Sequence, residues 1–249
     1  FSLIIQYRIS LFRSCYTDMK KAYLIYILTA VLTMSCSKQY IVQGLSSVQQ
    51  LEGEMLRLKV YRDNQMLTID SSMVVHGKFN FTGPIDSILL ASLYVEEACG
   101  MPLVLEEGIV TMKIDALTQS ATGTPLNDSL SFFIQRKMQL DAQMAELPRK
   151  ESRMIMNGIE HNEILRQLNE ENRLLMEQHE KLVLHFISSN YENVLGPGIF
   201  MIMTSSMNYP VITPQIDAIL RTAPASFLSH PYVKEYIQIA EENMKKVKE

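Results

Sequence analysis

The chain has 249 residues, of which 47% are hydrophobic and 20% are charged, so it can form one or two domains with a sizeable core. Its formal net charge of −4 argues against a nucleic-acid-binding protein, which needs a basic face. Methionine is abundant, at 16 residues, and tryptophan is absent. Because methionine fills irregular apolar gaps, we interpret these residues as helix core rather than as a partner-binding groove.

The N-terminal segment has the pattern of a secretory signal. We expect translation to begin at Met19, with residues 1–18 lying upstream of the natural start. Lys20 and Lys21 give the positive end of the signal. The apolar run over residues 22–35 is shorter than the ~20 residues of a membrane-spanning helix. The segment therefore predicts export rather than a membrane span.

The apolar run ends in Ser35 and Cys36, which resemble the lipobox of bacterial lipoproteins, with Thr33 where leucine is usual. We therefore predict that the mature chain begins at Cys36 and carries a lipid there. Removing residues 1–35 takes away four of the 23 basic and one of the 27 acidic residues, and the net charge becomes −7. This acidic surface, without an acidic run directly after the cysteine, favours a lipid-anchored protein on the periplasmic face of a cell-envelope membrane.

The remaining cysteines leave no redox pair. Cys15 lies upstream of the expected start and Cys36 is assigned to the lipid, so Cys99 is the one other cysteine of the mature chain. An intrachain disulfide and a Cys-x-x-Cys motif are therefore excluded. We interpret Cys99 as a buried structural cysteine rather than a reactive thiol.

Short strands separated by turn residues are predicted between residues 40 and 123. Residues 55–61 alternate apolar and polar side chains, which is the period of a half-buried strand. His76–Gly77 predicts a tight turn, and Glu107–Gly108 is interpreted as a hairpin turn. Seven strands are predicted, over residues 40–45, 55–61, 67–75, 78–82, 87–95, 101–105 and 109–114. Their close spacing indicates an antiparallel β-sandwich or a partly closed barrel.

The period becomes helical from Pro125 onward. Asn127 or Asp128 is predicted to cap a first helix that reaches about Leu147, where Pro148 breaks or bends it. A second long helix is predicted over about residues 150–188. Its predicted buried stripe consists of Leu165, Leu168, Leu175, Leu182 and Phe186, with Asn172 and His179 at the positions in between.

The last part of the chain is predicted to hold shorter helices. Gly196, Pro197 and Gly198 together predict a break in the chain. Helices are then predicted near residues 199–207, 214–221, 224–228 and 231–247.

Several residues of the β half carry a family resemblance. They are Tyr40 and Gly44, Gly53, Asp70 and Ser71, the run Gly-Lys-Phe-Asn-Phe-Thr-Gly at 77–83, Leu105 and Glu106 with Gly108, Gly123 and Thr124, and Asn127. In this order they resemble the domain of unknown function 4369, which in Bacteroidetes lipoproteins precedes a thioredoxin-like domain. The resemblance covers roughly residues 40–140. Gly77 and Gly83 are interpreted as turn glycines, and Phe79 and Phe81 as anchors of the sheet core.

Relatives in that family usually continue into a redox domain with a Trp-Cys-x-x-Cys site. This sequence has neither a tryptophan nor such a cysteine pair. We therefore expect the redox activity that the resemblance implies to be absent here.

Two histidine-containing clusters are interpreted as structural. His161, His179 and His185 lack the His-Glu-x-x-His spacing of zinc proteases, and the last two are six residues apart, which misaligns them on a helix. Asp70, Ser71, Ser72 and His76 are close in sequence but without a nucleophile elbow.

The sequence has two acidic pairs, Glu96–Glu97 and Glu106–Glu107, which are able to bind a cation. We interpret them instead as solvent-exposed residues at the ends of strands. We predict no catalytic, cofactor-binding or metal-binding residue.

These observations predict an α+β protein, with an N-terminal antiparallel β-sandwich or partly closed barrel followed by an all-helical region. The predicted organisation is upstream residues and signal peptide over 1–35, a β domain over 36–124 and a helical region over 125–249. We predict a non-catalytic, lipid-anchored envelope protein that binds a protein partner, without nucleic acid or cofactor. The alternative is a truncated relative of the thiol-disulfide oxidoreductase lipoproteins that assists a separate redox protein.

Overall fold

The computed structural model describes residues 38–62, 65–96, 98–205 and 207–246. The predicted lipidation site, Cys36, lies outside the described residues. Within them, a β-rich part is followed by a helical part, which confirms the predicted α+β class. The strands are β1 (Gln39–Ser46), β2 (Met55–Arg62), β3 (Gln65–Met73), β4 (Lys78–Pro84), β5 (Leu89–Val95), β6 (Ala98–Leu105), β7 (Gly108–Ile114) and β8 (Gln119–Thr122).

The strands form two four-stranded sheets. Sheet A has the order β4-β1-β7-β8 and sheet B the order β3-β2-β5-β6. Alternate residues of both sheets bury their side chains in a shared core, which includes Val42, Phe81 and Val110 from sheet A and Leu58 and Leu93 from sheet B. The sheets are not closed on each other, so the structure is a sandwich rather than a barrel.

The pairing of the strands differs from the prediction in two places. β1 and β7 run parallel, so sheet A is mixed rather than antiparallel. Glu107 and Gly108 do not form a hairpin turn, because β6 is the edge of sheet B whereas β7 is central in sheet A. The chain crosses between the sheets there. The prediction also missed β8, which is only four residues long.

The predicted turn at His76–Gly77 is confirmed. Both residues have left-handed backbone, with φ of 53° and 68°. The carboxylate of Glu52 accepts hydrogen bonds from their N–H groups, at 2.7 Å from His76 and 2.9 Å from Gly77. These bonds, first that of Gly77 and then that of His76, lower the pKa of Glu52.

Two glycines of β1 and β4 are covered by aromatic rings on the opposite strand. Tyr40 pairs with Gly83, and Gly44 pairs with Phe79. A Cβ atom on Gly44 would lie 2.0 Å from the Phe79 ring, and one on Gly83 would lie 2.8 Å from the Tyr40 hydroxyl. The expectation that Gly83 is a turn glycine is therefore wrong: it lies within β4 and makes room for a ring.

The helices are α1 (Pro125–Met156), α2 (His161–Ser189), α3 (Leu195–Ser205), α4 (Pro214–Thr222), α5 (Ala225–Leu228) and α6 (Pro231–Lys246). Pro148, which was predicted to break or bend the first helix, does not break it, because α1 continues through it. The helix ends at Met156 instead, and Gly158 follows it with φ of 72°. The Gly158 N–H bonds to the Ile155 carbonyl and the Ile159 N–H to the Met154 carbonyl. This is the Schellman arrangement, in which a left-handed glycine ends a helix.

Helices α1 and α2 form an antiparallel hairpin. Phe133 stacks on Phe186 at 4.2 Å between ring centroids, and Lys150 binds Glu171 at 2.5 Å. Four residues of the predicted stripe lie at least half-buried in the seam. Leu165 does not, because it is 41% exposed and its neighbour Ile164 is buried in its place.

Asn172 and His179 were predicted to lie between the leucines of the stripe, and only His179 does so. His179 is half-buried and lies 3.8 Å from Asp141 of α1. Asn172 is exposed, and Glu171 takes the position facing α1.

The helical part packs on the outer face of sheet B. Val104 of β6 and Leu90 of β5 contribute to the same apolar cluster as α2, α3 and α6. The predicted break at Gly196, Pro197 and Gly198 is wrong, because these residues form the first turn of α3. None of the described helices combines the length and the apolar character needed to cross a membrane.

Candidate functional site

A buried polar joint connects sheet B to the start of α1. The side chain of Asn127 copies the pairing of a neighbouring strand: its Oδ1 accepts from the Val104 N–H at 2.9 Å and its Nδ2 donates to the Val104 carbonyl at 2.8 Å. A side chain of α1 thereby pairs with the backbone at the edge strand β6. The prediction that Asn127 or Asp128 caps α1 is wrong, since Thr124 holds the cap position.

Glu106 completes this joint. Its Oε1 accepts from the N–H groups of Leu126 at 3.0 Å and Asn127 at 3.3 Å, in the first turn of α1. A carboxylate is favoured there because the first N–H groups of a helix lack partners within the helix and carry partial positive charge. The acidic pair Glu106–Glu107, which was considered as a cation site, thus includes a buried residue with a structural role.

Asp70 connects the two sheets at their β3–β4 corner. Its Oδ2 accepts from the Thr82 N–H at 3.2 Å and from the Tyr40 hydroxyl at 3.3 Å, and its Oδ1 accepts from the Ser71 N–H at 2.8 Å. Burial first, and then the charge of Asp70, raise the pKa of Tyr40 to about 12. Ser72 Oγ accepts from the Asn80 N–H at 3.1 Å. The polar groups near the turn are therefore used in holding strands together.

The histidines of α2 are not brought together with acidic partners as a site. His161 and His185 are exposed, while His179 lies beside Asp141. Among the described residues, no group of three or more His, Cys, Asp and Glu side chains is placed to hold a metal ion.

A cleft of about 340 Å³ opens between the outer face of sheet B and the helices. Strands β2 and β5 supply one wall, and the residues around the α2–α3 connection and α5 supply the other. Its apolar surface comes chiefly from Leu89, Leu90, Val194, Met201 and the rings of Tyr61, Tyr191 and Phe227. A concave, mostly apolar site with a few polar groups is typical of small-molecule binding.

Aromatic contacts hold the walls of the cleft in place. Tyr61 meets Tyr232 of α6 edge to face at 5.6 Å, and Tyr191 meets Phe227 at 4.8 Å. The Tyr191 hydroxyl also donates to the Ile219 carbonyl at 2.6 Å. These contacts tie the rings that line the cleft to the neighbouring helices.

Polar groups line one part of the cleft. Ser226 Oγ donates to Glu192 Oε1 at 2.9 Å, and Asn193 and His230 lie on the same lining. Burial lowers the pKa of His230, so its imidazole is neutral at neutral pH. His230 Nδ1 is buried and has no hydrogen-bond partner among the described residues. Glu192 is thus the charged group of this lining.

None of these cleft residues was predicted from the sequence. They come from β2, β5, the α2–α3 connection and α5, which are far apart in the chain. The local signal nearest to them is the series of prolines that begins the short helices, and it shows helix starts rather than a binding site.

Residues 40–130 match the family described as Domain of unknown function (DUF4369). This segment of the chain is similar to that family. It contains all eight strands and the first turns of α1, so it includes the joint formed by Glu106 and Asn127. The cleft draws on both this domain and the helices beyond it. No curated protein matched the chain.

The match confirms the resemblance stated from the sequence. The residues that carry it now have structural roles: the ring-covered glycines, the Asp70 corner, and the Asn127 joint.

Proposed function

We propose that this protein is a non-catalytic binding protein of a bacterial cell envelope, of the Bacteroidetes type, anchored by a lipid on Cys36. The Lys20–Lys21 end, the short apolar run and the Ser35–Cys36 junction support the anchor. The DUF4369 domain supports it through the lipoproteins that the family resemblance implies.

The observation that carries the binding role is the cleft between sheet B and the helices. Its rings and aliphatic side chains suit an apolar body, and the Glu192 carboxylate suits a hydrogen-bond donor or a positive group on the same ligand. We therefore propose a small amphipathic molecule, or a side chain of a protein partner with that chemistry, as the ligand.

The alternative role, help to a separate redox protein, has less support. The matched family description states no function, and the cleft has no feature that favours a thiol or disulfide partner.

The test is to block the cleft and identify what is lost. Ser226→Phe places a ring at the exposed edge of the cleft, whereas Ser229→Phe places the same ring at an exposed residue near the end of α5 that does not line it. Each lipid-anchored variant would be purified in detergent from native envelopes, and bound compounds would be measured by native mass spectrometry.

We expect a retained ligand with the wild type and with Ser229→Phe, and its loss with Ser226→Phe. Thermal melts of the three proteins should agree within a few degrees, because both serines are exposed. A ligand retained equally by both variants would place binding elsewhere, and no retained mass in any of them would contradict the binding role of the cleft.

A further inference from the structure

The lipid anchor proposed above leaves very little free chain before the fold begins. Ser37 and Lys38 alone separate Cys36 from Gln39, the first residue of β1. An extended chain spans at most ~3.6 Å per residue, so the two Cα atoms of Cys36 and Gln39 lie within about 11 Å of each other. Whatever path the tether takes, the start of β1 must stay near the lipid headgroups.

The start of β1 defines one end of the sandwich, which we call the anchor end. Tyr40 at this end pairs with Gly83 of β4 and with Gly108 of β7. The connections here are residues 85–88 between β4 and β5, 106–107 between β6 and β7, and 123–124 between β8 and α1. The exposed side chain of Ile88, at 45%, lies on this end.

The opposite end carries four other strand connections, and we call it the distal end. It consists of residues 47–54, 74–77 and 115–118, together with the β5–β6 turn at Glu96. Leu117 is 87% exposed there.

The helical hairpin starts at the anchor end and leads away from it. Asp128 of α1 accepts from the Gly123 N–H at 2.8 Å, and one turn later Ser131 bonds the backbone of Ala121, so α1 runs back along β8. A helix of 32 residues is roughly 48 Å long, at about 1.5 Å per residue. If α1 keeps the direction of its first turns, this length carries the hairpin turn near Met156, which is 86% exposed, past the distal end of the sandwich.

We propose that the anchor end of the sandwich rests against the lipid headgroups and that the α1–α2 hairpin projects away from the membrane. This inference rests on the anchor at Cys36 but not on any ligand of the cleft. It also puts the cleft, which Tyr61 and Leu89 line, on the membrane side of sheet B.

The test uses the full lipid-anchored protein with a dye at one cysteine. Ile88→Cys, Leu117→Cys and Met156→Cys, each in a Cys99→Ser background, would be labelled with an environment-sensitive fluorophore. The proteins would be reconstituted in vesicles of phosphatidylethanolamine with a minority of phosphatidylglycerol, and nitroxide-labelled lipids would be added as quenchers. Flotation of each protein with the vesicles, compared with Cys36→Ala, would report the anchor separately. Thermal melts would check that each labelled protein is folded.

We expect strong loss of emission at position 88 and none at positions 117 and 156, in proteins that float. Equal quenching at 88 and 117, or stronger quenching at 117 or 156, in floating protein would overturn the orientation and leave the anchor standing. Failure of the wild type to float would overturn the anchor, and the orientation with it.

Discussion

The β-sandwich and the outer part of the α1–α2 hairpin are stabilised by different interactions. In the sandwich, side chains from two sheets meet in a core that includes residues far apart in the chain, such as Val42 and Leu103. In the outer hairpin, one seam of side chains joins two helices, and exposed ion pairs such as Arg166–Glu163 and Arg173–Glu170 lie within α2 on its surface. Exposed pairs contribute little to stability.

This comparison explains where the family resemblance lies. The residues that carry it hold long-range contacts of the sandwich and of its joint to α1. The outer hairpin needs only a period of apolar residues, a helix-ending glycine and solvated charges, and many sequences satisfy these conditions. The sandwich should therefore be sensitive to single substitutions, and the outer hairpin tolerant of them.

The largest effect is expected from Phe81→Ala. Phe81 is fully buried between the sheets and meets Phe79 edge to face at 6.0 Å. Truncating a buried phenylalanine costs about 3–5 kcal/mol in the free energy of unfolding, which denaturant titration would measure. The matched control is Phe132→Ala on α1, whose ring is mostly exposed and should change stability little. A similar loss for both would remove the distinction between the two regions.

A smaller but still large loss is expected from Asn127→Ala at the joint. The substitution leaves the N–H and carbonyl of Val104 buried without partners, at roughly 1–3 kcal/mol for each group. Asn162→Ala removes an asparagine that is exposed and bonds only Glu160, so it serves as the control. If Asn127→Ala melted with the wild type, the joint would not be a determinant of the fold.

In the hairpin, Leu175→Ala should destabilise the protein by about 2 kcal/mol, near the low end for buried leucines, because two helices relax around a cavity more easily than two sheets do. Leu165→Ala should be almost neutral, since that leucine is exposed. This pair also distinguishes a stripe that is buried between the helices from one that is buried only against a binding partner. A neutral Leu175→Ala would favour burial against a partner, and a destabilising one assigns the residue to the seam between the helices.

The smallest effect is expected from acid. Hydrogen bonds from Arg166 first, and then from Gln167, lower the pKa of Glu163 to about 2 from an ordinary 4.5. A lowered carboxyl pKa contributes stability above the unfolded-state pKa, and this contribution is lost as the pH falls from 4.5 towards about 2. Melts followed by circular dichroism should show this loss in the wild type and a smaller one in Glu163→Gln. Because both Glu163 and Arg166 are accessible to solvent, added salt should diminish the difference.

The sequence predicts the position of each strand and helix better than it predicts which strands pair with each other. Alternation and turn residues place the first seven strands within a few residues, but β8 is too short and polar to show a period. The parallel pairing of β1 with β7 and the crossing at Glu107 depend on which sheet each strand joins, which local alternation does not encode. Pro148 was predicted to break or bend the first helix, yet a long helix with other contacts continues despite the loss of one hydrogen bond.

The candidate site could not be predicted from the sequence either, because it depends on which elements come together in the fold. The cleft assembles Tyr61, Leu90, Glu192, Ser226 and His230 from four separate segments, none of which has a motif. The joint was predicted only in part. Glu106 and Asn127 were recognised as family residues, but the sequence does not show that Asn127 donates hydrogen bonds to Glu106.

The proposals on function and on orientation both depend on the lipid at Cys36, so labelling at that residue is the most direct test. Cells expressing the wild type, Cys36→Ala or Cys99→Ser would be fed an alkyne fatty acid, and the purified proteins would be coupled to an azide dye. We predict that the wild type and Cys99→Ser are labelled and that Cys36→Ala is not. Label retained by Cys36→Ala, or a mature N-terminus at another residue, would contradict a lipid-anchored binding protein.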